Sequence, residues 1–111
     1  MVEFQEKVLL INHNKIKTFD FNIRTIIELE KIIIILLEIP FENNVYKNNI
    51  LAVDYNGNVV WTLNNIGYTK NIYPMEQINL IDDYLYATDF YGRRLKISVD
   101  TGEIIEFSIS K

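Results

Sequence analysis

The sequence predicts an all-β fold, and three observations carry that prediction. First, two stretches share one layout: IIELEKIIIILLEI (26–39) with ILAVDYNGNVVWTL (50–63), and INLIDDYLYATDF (78–90) with LKISVDTGEIIEFSI (95–109). Each reads strand, acidic turn, strand, gap, strand, Asp–Gly-type turn, strand, so a four-strand unit is written twice. Second, the apolar positions are filled by β-branched and aromatic residues. Ile32–Ile35 is an unbroken isoleucine run, and the chain holds 7 Tyr and 6 Phe. Such side chains are stiff at χ1 or bulky and suit a pleated surface better than a helix. Third, the connections are short and built from Asn, Asp and Gly, which favours antiparallel meanders.

The elements follow in chain order. Residues 2–11 and 15–21 read as a hairpin turning at Asn12-His13-Asn14. In the first strand Val2, Phe4, Val8 and Leu10 share a face; in the second Lys15, Lys17, Phe19 and Phe21 do. Residues 24–39 hold two strands around a tight Glu30-Lys31 turn. The second of them, apolar on both faces, reads as a central strand covered on both sides, and Pro40 stops it. PFENNVYKNN (40–49) reads as a polar loop. Ile50–Tyr55 and Asn58–Leu63 flank Asn56-Gly57, the strongest short hairpin signal, expected as a type I′ turn. Leu51, Val53 and Tyr55 share one face of the incoming strand, and Val59, Trp61 and Leu63 one face of the outgoing strand. Residues 64–76 read as an irregular segment that Tyr68, Tyr73 and Pro74 would order. Strands 78–81 and 84–89 meet at Asp82-Asp83. After a turn over Phe90–Arg93, Leu95, Ile97 and Val99 alternate with Lys96, Ser98 and Asp100. Thr101-Gly102 turns the chain into a last strand with Ile105, Phe107 and Ile109 on one face. This gives about ten strands in a single domain over 1–111: an N-terminal hairpin (1–21), a first meander (24–63) and a second meander (77–110).

Composition bounds the function. Hydrophobic residues make up 49% of the chain, enough for a packed core, and 23% are charged, which argues against a disordered tail. The net charge is −4. A nucleic-acid partner is not expected, because no basic face beyond Arg93-Arg94 and Lys15/Lys17 is available to neutralise phosphates. With no cysteine there are no disulfides and no thiolate chemistry. The N-terminus lacks the pattern of a signal peptide. The most apolar run, 32–39, is far short of the roughly 20 residues that a membrane helix needs. A cytoplasmic protein with no membrane partner is expected.

Chemistry is sparse. His13 is the only histidine and sits in a turn with no orienting group assignable, so neither a catalytic role nor a zinc site is expected. Ser98, Ser108 and Ser110 lie outside any nucleophile elbow. Asp54–Asn58 lacks the length and distal Glu of a calcium loop. The four glycines are isolated and belong to turns rather than to a phosphate loop. Only carboxylates are plentiful: Asp82, Asp83 and Asp89 bracket one hairpin with Glu76 nearby, but Asp82-Asp83 are also natural turn formers. Along the strand between them Tyr84 and Tyr86 point away from Leu85 and Ala87, next to Phe90 and Tyr91. Tyrosines beside acids have the composition of a hot spot for a basic partner. The candidate partner-binding residues are therefore Glu76, Asp82, Asp83, Tyr84, Tyr86, Asp89, Phe90 and Tyr91, with no catalytic residue, metal or cofactor.

The segments AVDYNGNVVW (52–61) and SVDTGEIIEF (98–107), with LYATD (85–89) ahead of the second, resemble the blade motif of quinoprotein-type β-propeller repeats. In those blades an Asp precedes a Gly turn and a bulky residue follows a short apolar run. The resemblance implies blade-like meanders and not a quinone cofactor. A propeller closes with about four to eight blades; two units and a hairpin cannot close one. The meanders are thus expected to cover each other as a sandwich or partly open barrel, or to assemble with a second copy. The layout LLEIP (36–40), AVDYNGNVVW and LYATDFYG–x–x–KISVDTGEI also resembles small bacterial proteins described as toxin-immunity or orphan hypothetical proteins. That resemblance implies a non-enzymatic immunity protein that masks a basic surface of a cognate toxin. The alternatives are a structural module forming a homodimer, or a small carboxylate enzyme acting on glycans.

Overall fold

The computed structural model describes residues 1–40, 49–63 and 74–109, and among them the fold is all-β with no helix. An N-terminal sheet holds β1 (Val2–Gln5), β2 (Val8–Ile11) and β3 (Asn14–Thr18). A central sheet holds β4 (Ile23–Glu28), β5 (Ile33–Leu37), β6 (Ile50–Val53) and β7 (Val59–Thr62). A C-terminal sheet holds β8 (Met75–Ile81), β9 (Tyr84–Asp89), β10 (Arg93–Ser98) and β11 (Ile104–Ile109). Each sheet is an antiparallel meander in chain order, so every hydrogen-bonded neighbour is also a sequence neighbour.

The central sheet is buried on both faces, and the isoleucine run explains how. Alternate residues of a strand point to opposite sides. Ile33, Ile35 and Leu37, with Leu51 and Val53, face Val2, Leu9 and Phe19 of the N-terminal unit. Ile34 and Leu36, with Ile50, Ala52, Trp61 and Leu63, face Ile78, Leu85, Ala87, Leu95 and Ile97 of the C-terminal sheet. All of β5 is buried, which at roughly 2 kcal/mol per side chain makes this strand alone worth on the order of 10 kcal/mol of transfer free energy. The two meanders do cover each other, as an open sandwich. The N-terminal unit adds a third layer on the far face of the central sheet.

Several local expectations are corrected. Residues 2–11 form two strands, because the chain turns at Glu6-Lys7, where Glu6 takes φ 54. No Gly or Asn announces that turn. Tertiary hydrogen bonds hold it instead: Ile23 N donates to Glu6 O at 2.7 Å and Phe19 N to Lys7 O at 2.9 Å. The turn changes the facing. Phe4 lies opposite Leu9, so Leu9 enters the core while Val8 and Leu10 face outward. The N-terminal unit is accordingly a three-stranded meander rather than a hairpin. At Asn56-Gly57 only the glycine has positive φ. Asp54 N donates to Asn58 O and Gly57 N to Asp54 O, so the connection is a three-residue loop rather than a type I′ turn. In β11 a bulge opposite Lys96–Ile97 pairs Ile97 with Ile104 and Lys96 with Glu106. Ile104 and Phe107 therefore pack inward and Ile105 is 45% exposed. β8 starts at Met75, so Met75 and Glu76 are strand rather than loop. The rest of the loops expected over 40–49 and 64–76 lies outside the described residues, except Pro40, Asn49 and Pro74.

Asn49 is fully buried where the central and C-terminal sheets meet. Its Nδ2 donates to Leu37 O and Met75 O, each at 2.8 Å, and its Oδ1 accepts from Met75 N at 2.9 Å. One amide thus satisfies three backbone groups and fixes the entry to β8 against β5. Among the described residues no helix is long and apolar enough to cross a membrane.

Candidate functional site

Four turns meet at one end of the molecule, and their residue types make that end acidic. The β4–β5 turn closes with Leu29 N donating to Ile32 O. The β6–β7 turn is capped by Asp54, whose Oδ1 accepts from Asn56 N and Asn58 N, each at 2.9 Å. The Asn58 amide above all, with the Asn56 amide and the Asn58 side chain, holds the Asp54 carboxyl below its ordinary range against an opposing desolvation effect. Tyr55 Oη donates to Leu29 O at 2.6 Å and ties these two turns together. Partial burial, with nearby Glu28, raises the Tyr55 phenol. The β8–β9 turn places Asp82 and Asp83 at φ 50 and 68, the left-handed pair of a type I′ turn that short polar side chains tolerate. In the β10–β11 turn Thr101 Oγ1 accepts from Glu103 N at 3.2 Å.

Between the β4–β5, β8–β9 and β10–β11 turns runs an open groove of about 500 Å³, lined by Leu29, Leu80, Asp82, Asp83, Tyr84, Ser98, Val99 and Asp100. The four turns carry Glu28, Glu30, Asp54, Asp82, Asp83, Asp100 and Glu103 against Lys31 alone. This end is therefore more negative than the whole chain at −4, and the remainder is net positive. The arrangement can attract a cationic surface. Among the described residues no group of three His, Cys, Asp or Glu is placed to hold a metal ion.

The structure disperses the eight residues singled out in the sequence. Asp82 and Asp83 belong to the acidic end, and Tyr84 lines its groove. Tyr84 and Tyr86 do point away from the buried Leu85 and Ala87, but their neighbours on that outer face are cations. Lys96 Nζ lies 4.2 Å from the Tyr84 ring centroid and the Arg94 guanidinium 4.3 Å from that of Tyr86. Cross-strand pairing of Lys96 with Tyr86 and of Arg94 with Thr88 puts them there. Asp89, Phe90 and Tyr91 sit at the far end of β9, which six residues place roughly 17–20 Å away. Asp89 is buried; its Oδ1 caps the β9–β10 turn by accepting from Tyr91 N and Arg93 N at 2.9 Å. Phe90 and Tyr91 are exposed and meet edge to face at 5.5 Å. Glu76 is at that far end too, where Arg24 bridges it to Glu38, with 3.1 Å between Arg24 Nη2 and Glu38 Oε1. Burial opposes the Arg24 charge, but the two carboxylates outweigh it and raise its pKa. His13 pairs with Glu3 at 3.1 Å at the exposed N-terminal turn.

Sequence reasoning missed Glu28, Glu30, Asp54, Asp100 and Glu103 as companions of Asp82 and Asp83. Their signal is present: every connection on one side of both meanders carries an acid. Reading it requires knowing that odd-numbered turns of a meander share an end and that the two meanders run in the same sense.

The whole described fold is spanned by one family. The chain belongs to the family described as Domain of unknown function (DUF7957), which matches residues 1–109. No curated protein matches the chain.

Proposed function

We propose that this chain is a non-enzymatic, cytoplasmic protein-binding module that captures a basic partner at its acidic end. The most specific form is an immunity protein that covers the cationic active-site surface of a cognate toxin. The observation that carries the reading is the convergence of the four turns. It concentrates carboxylates from both meanders on one rim beside an open groove that Leu29, Leu80, Tyr84 and Val99 also line. Rigid turns lose little entropy on binding, and a like-signed rim steers an oppositely charged surface and accelerates capture.

The test mixes the purified protein with the product of the adjacent reading frame and follows association by stopped flow at rising ionic strength. The expected result is a complex whose association rate falls steeply with salt, since the Debye length shrinks to about 8 Å at 0.15 M. Replacing Asp82 and Asp83 by Asn, which also tolerates the left-handed turn, should slow capture severalfold at low salt while the fold persists. If no complex forms at low salt, the immunity reading fails. If a complex forms at a rate indifferent to salt and to these substitutions, the acidic end is not the binding face.

A further inference from the structure

The three sheets form a fan. Their leading edges converge: β1 approaches β4, and β8 approaches both β4 and β5, with Cα atoms within 8 Å, closer than the roughly 10 Å of ordinary face-to-face sheets. Among the described residues no approach of that extent joins β3 to β7 or β7 to β11. The wide side is filled by bulk: the Trp61 ring lies under Gly102, and its Nε1 donates to Val99 O at 2.7 Å. A fan of sheets around a line of first strands is an arc of a ring. Among the described residues it leaves two faces unpartnered, one on the N-terminal sheet and one on the C-terminal sheet.

We propose that two copies of this chain close head to tail into a six-sheet ring, the outer face of each N-terminal sheet packing on the outer face of the other copy's C-terminal sheet. Copy number follows from arithmetic. Rings of radial sheets close with about four to eight. Three sheets are too few and nine too many, so two copies give the only multiple in range. The faces are complementary in kind. The N-terminal one presents Val8 and Leu10, both half-buried already, beside Glu3 and Lys15. The C-terminal one presents Tyr84 and Tyr86 with Arg94 and Lys96 across them. Aliphatic side chains against tyrosine rings suit a contact that need not be permanent. Three strands about 4.8 Å apart and some 15 Å long give a footprint of roughly 200 Å². Four such patches reach roughly 800 Å² before surface relief is counted, near the 1,000 Å² of a specific interface. The contact is heterologous but closes by two-fold symmetry, and it sets both acidic ends on the same side of the ring. The inference does not depend on any partner protein.

Sedimentation of the full chain between about 1 and 200 μM is expected to show a dimer of twice the 13.1 kDa chain mass. Leu10→Lys and Tyr86→Glu, on opposite faces, should each give monomers of unchanged circular dichroism. An equimolar mixture of the two should regain a dimer, because one intact contact is restored. Should either variant misfold, Val8→Lys and Lys96→Glu make the same test. A wild-type chain that stays monomeric at 200 μM overturns the proposal. So does a dimer broken from one face only, or a mixture that does not reassociate, since either means that like faces pair.

Discussion

Asn49 offers the sharpest test of how the central and C-terminal sheets are joined. Its side chain donates to two carbonyls and accepts from one amide, all at 2.8–2.9 Å and away from water. Asn49→Ala strands Met75 N and leaves Leu37 O and Met75 O short of a donor. A stranded buried polar group costs about 1–3 kcal/mol, and the carbonyls, each with a second lone pair, cost less. The expected loss is about 3–4 kcal/mol, a large part of the roughly 5–15 kcal/mol that holds a domain of this size. In urea, with a slope of about 1–1.5 kcal/mol/M for a small chain, the midpoint should fall by roughly 2–4 M with the slope unchanged. Asn49→Asp separates hydrogen bonding from volume. It keeps the acceptor for Met75 N but sets an anionic oxygen against two carbonyl oxygens, so at pH 7 it should be at least as damaging as alanine. Its buried carboxyl would titrate upward in the fold, so stability should be regained as pH falls through that raised value. A loss under about 1 kcal/mol for alanine, or an Asp variant as stable as wild type at pH 7, would refute the bridging role.

Two further perturbations follow from the same structure. Gly102 has φ +75, and a Cβ there would press into the Trp61 indole, 2.7 Å from Cδ2. Gly102→Ala should therefore cost about 2–5 kcal/mol from strain and overpacking, and adding Trp61→Phe should recover part of it, measured as non-additivity in a double-mutant cycle. The Tyr55 phenol, raised by burial and then by Glu28, adds stability that is complete below its unfolded pKa near about 10 and is lost as pH rises toward the folded value. Denaturation curves taken from pH 9 to 11 should show this loss in the wild type and a smaller one in Tyr55→Phe.

The layer structure was legible in the sequence because burial and strand period agree. An isoleucine run with no polar face has to be covered twice, and β5 is. Leu85 and Ala87 against Tyr84 and Tyr86 likewise alternate as the sheet requires. What was not legible depends on partners distant in the chain. Glu6-Lys7 turns because Phe19 and Ile23 donate to it, which nothing in VEFQEKVLLI encodes locally. Ile105 leaves the core through a bulge that opposes β10 rather than through its own pattern. The candidate site was legible as residue types and not as a place. Acids and tyrosines close in sequence along β9 are split between two ends and a face, because a strand separates its termini as surely as it alternates its sides.

That split makes two kinds of carboxylate distinguishable by experiment. Asp54 and Asp100 hold the same position in their meanders, between third and fourth strands, and both reach the acidic end. Yet Asp54 repeats the bonding of Asp89, with Oδ1 taking amides two and four residues on, whereas Thr101 does this work beside Asp100. Asp54 should therefore matter to folding and Asp100 to capture. Since the amides of Asn58 and Asn56 hold the Asp54 carboxyl low, its contribution is present above the unfolded pKa of about 3.9 and disappears as pH falls through the lower folded value. Asp54→Asn should flatten the acid limb of the stability profile below about pH 4. Asp100→Asn should change stability at pH 7 by less than about 0.5 kcal/mol and slow association with a basic partner at low salt. The opposite assignment, with Asp54→Asn leaving the acid limb unchanged and Asp100→Asn costing stability at pH 7, would mean that these turns are closed by different bonds from those described and that the groove carboxylates serve the fold.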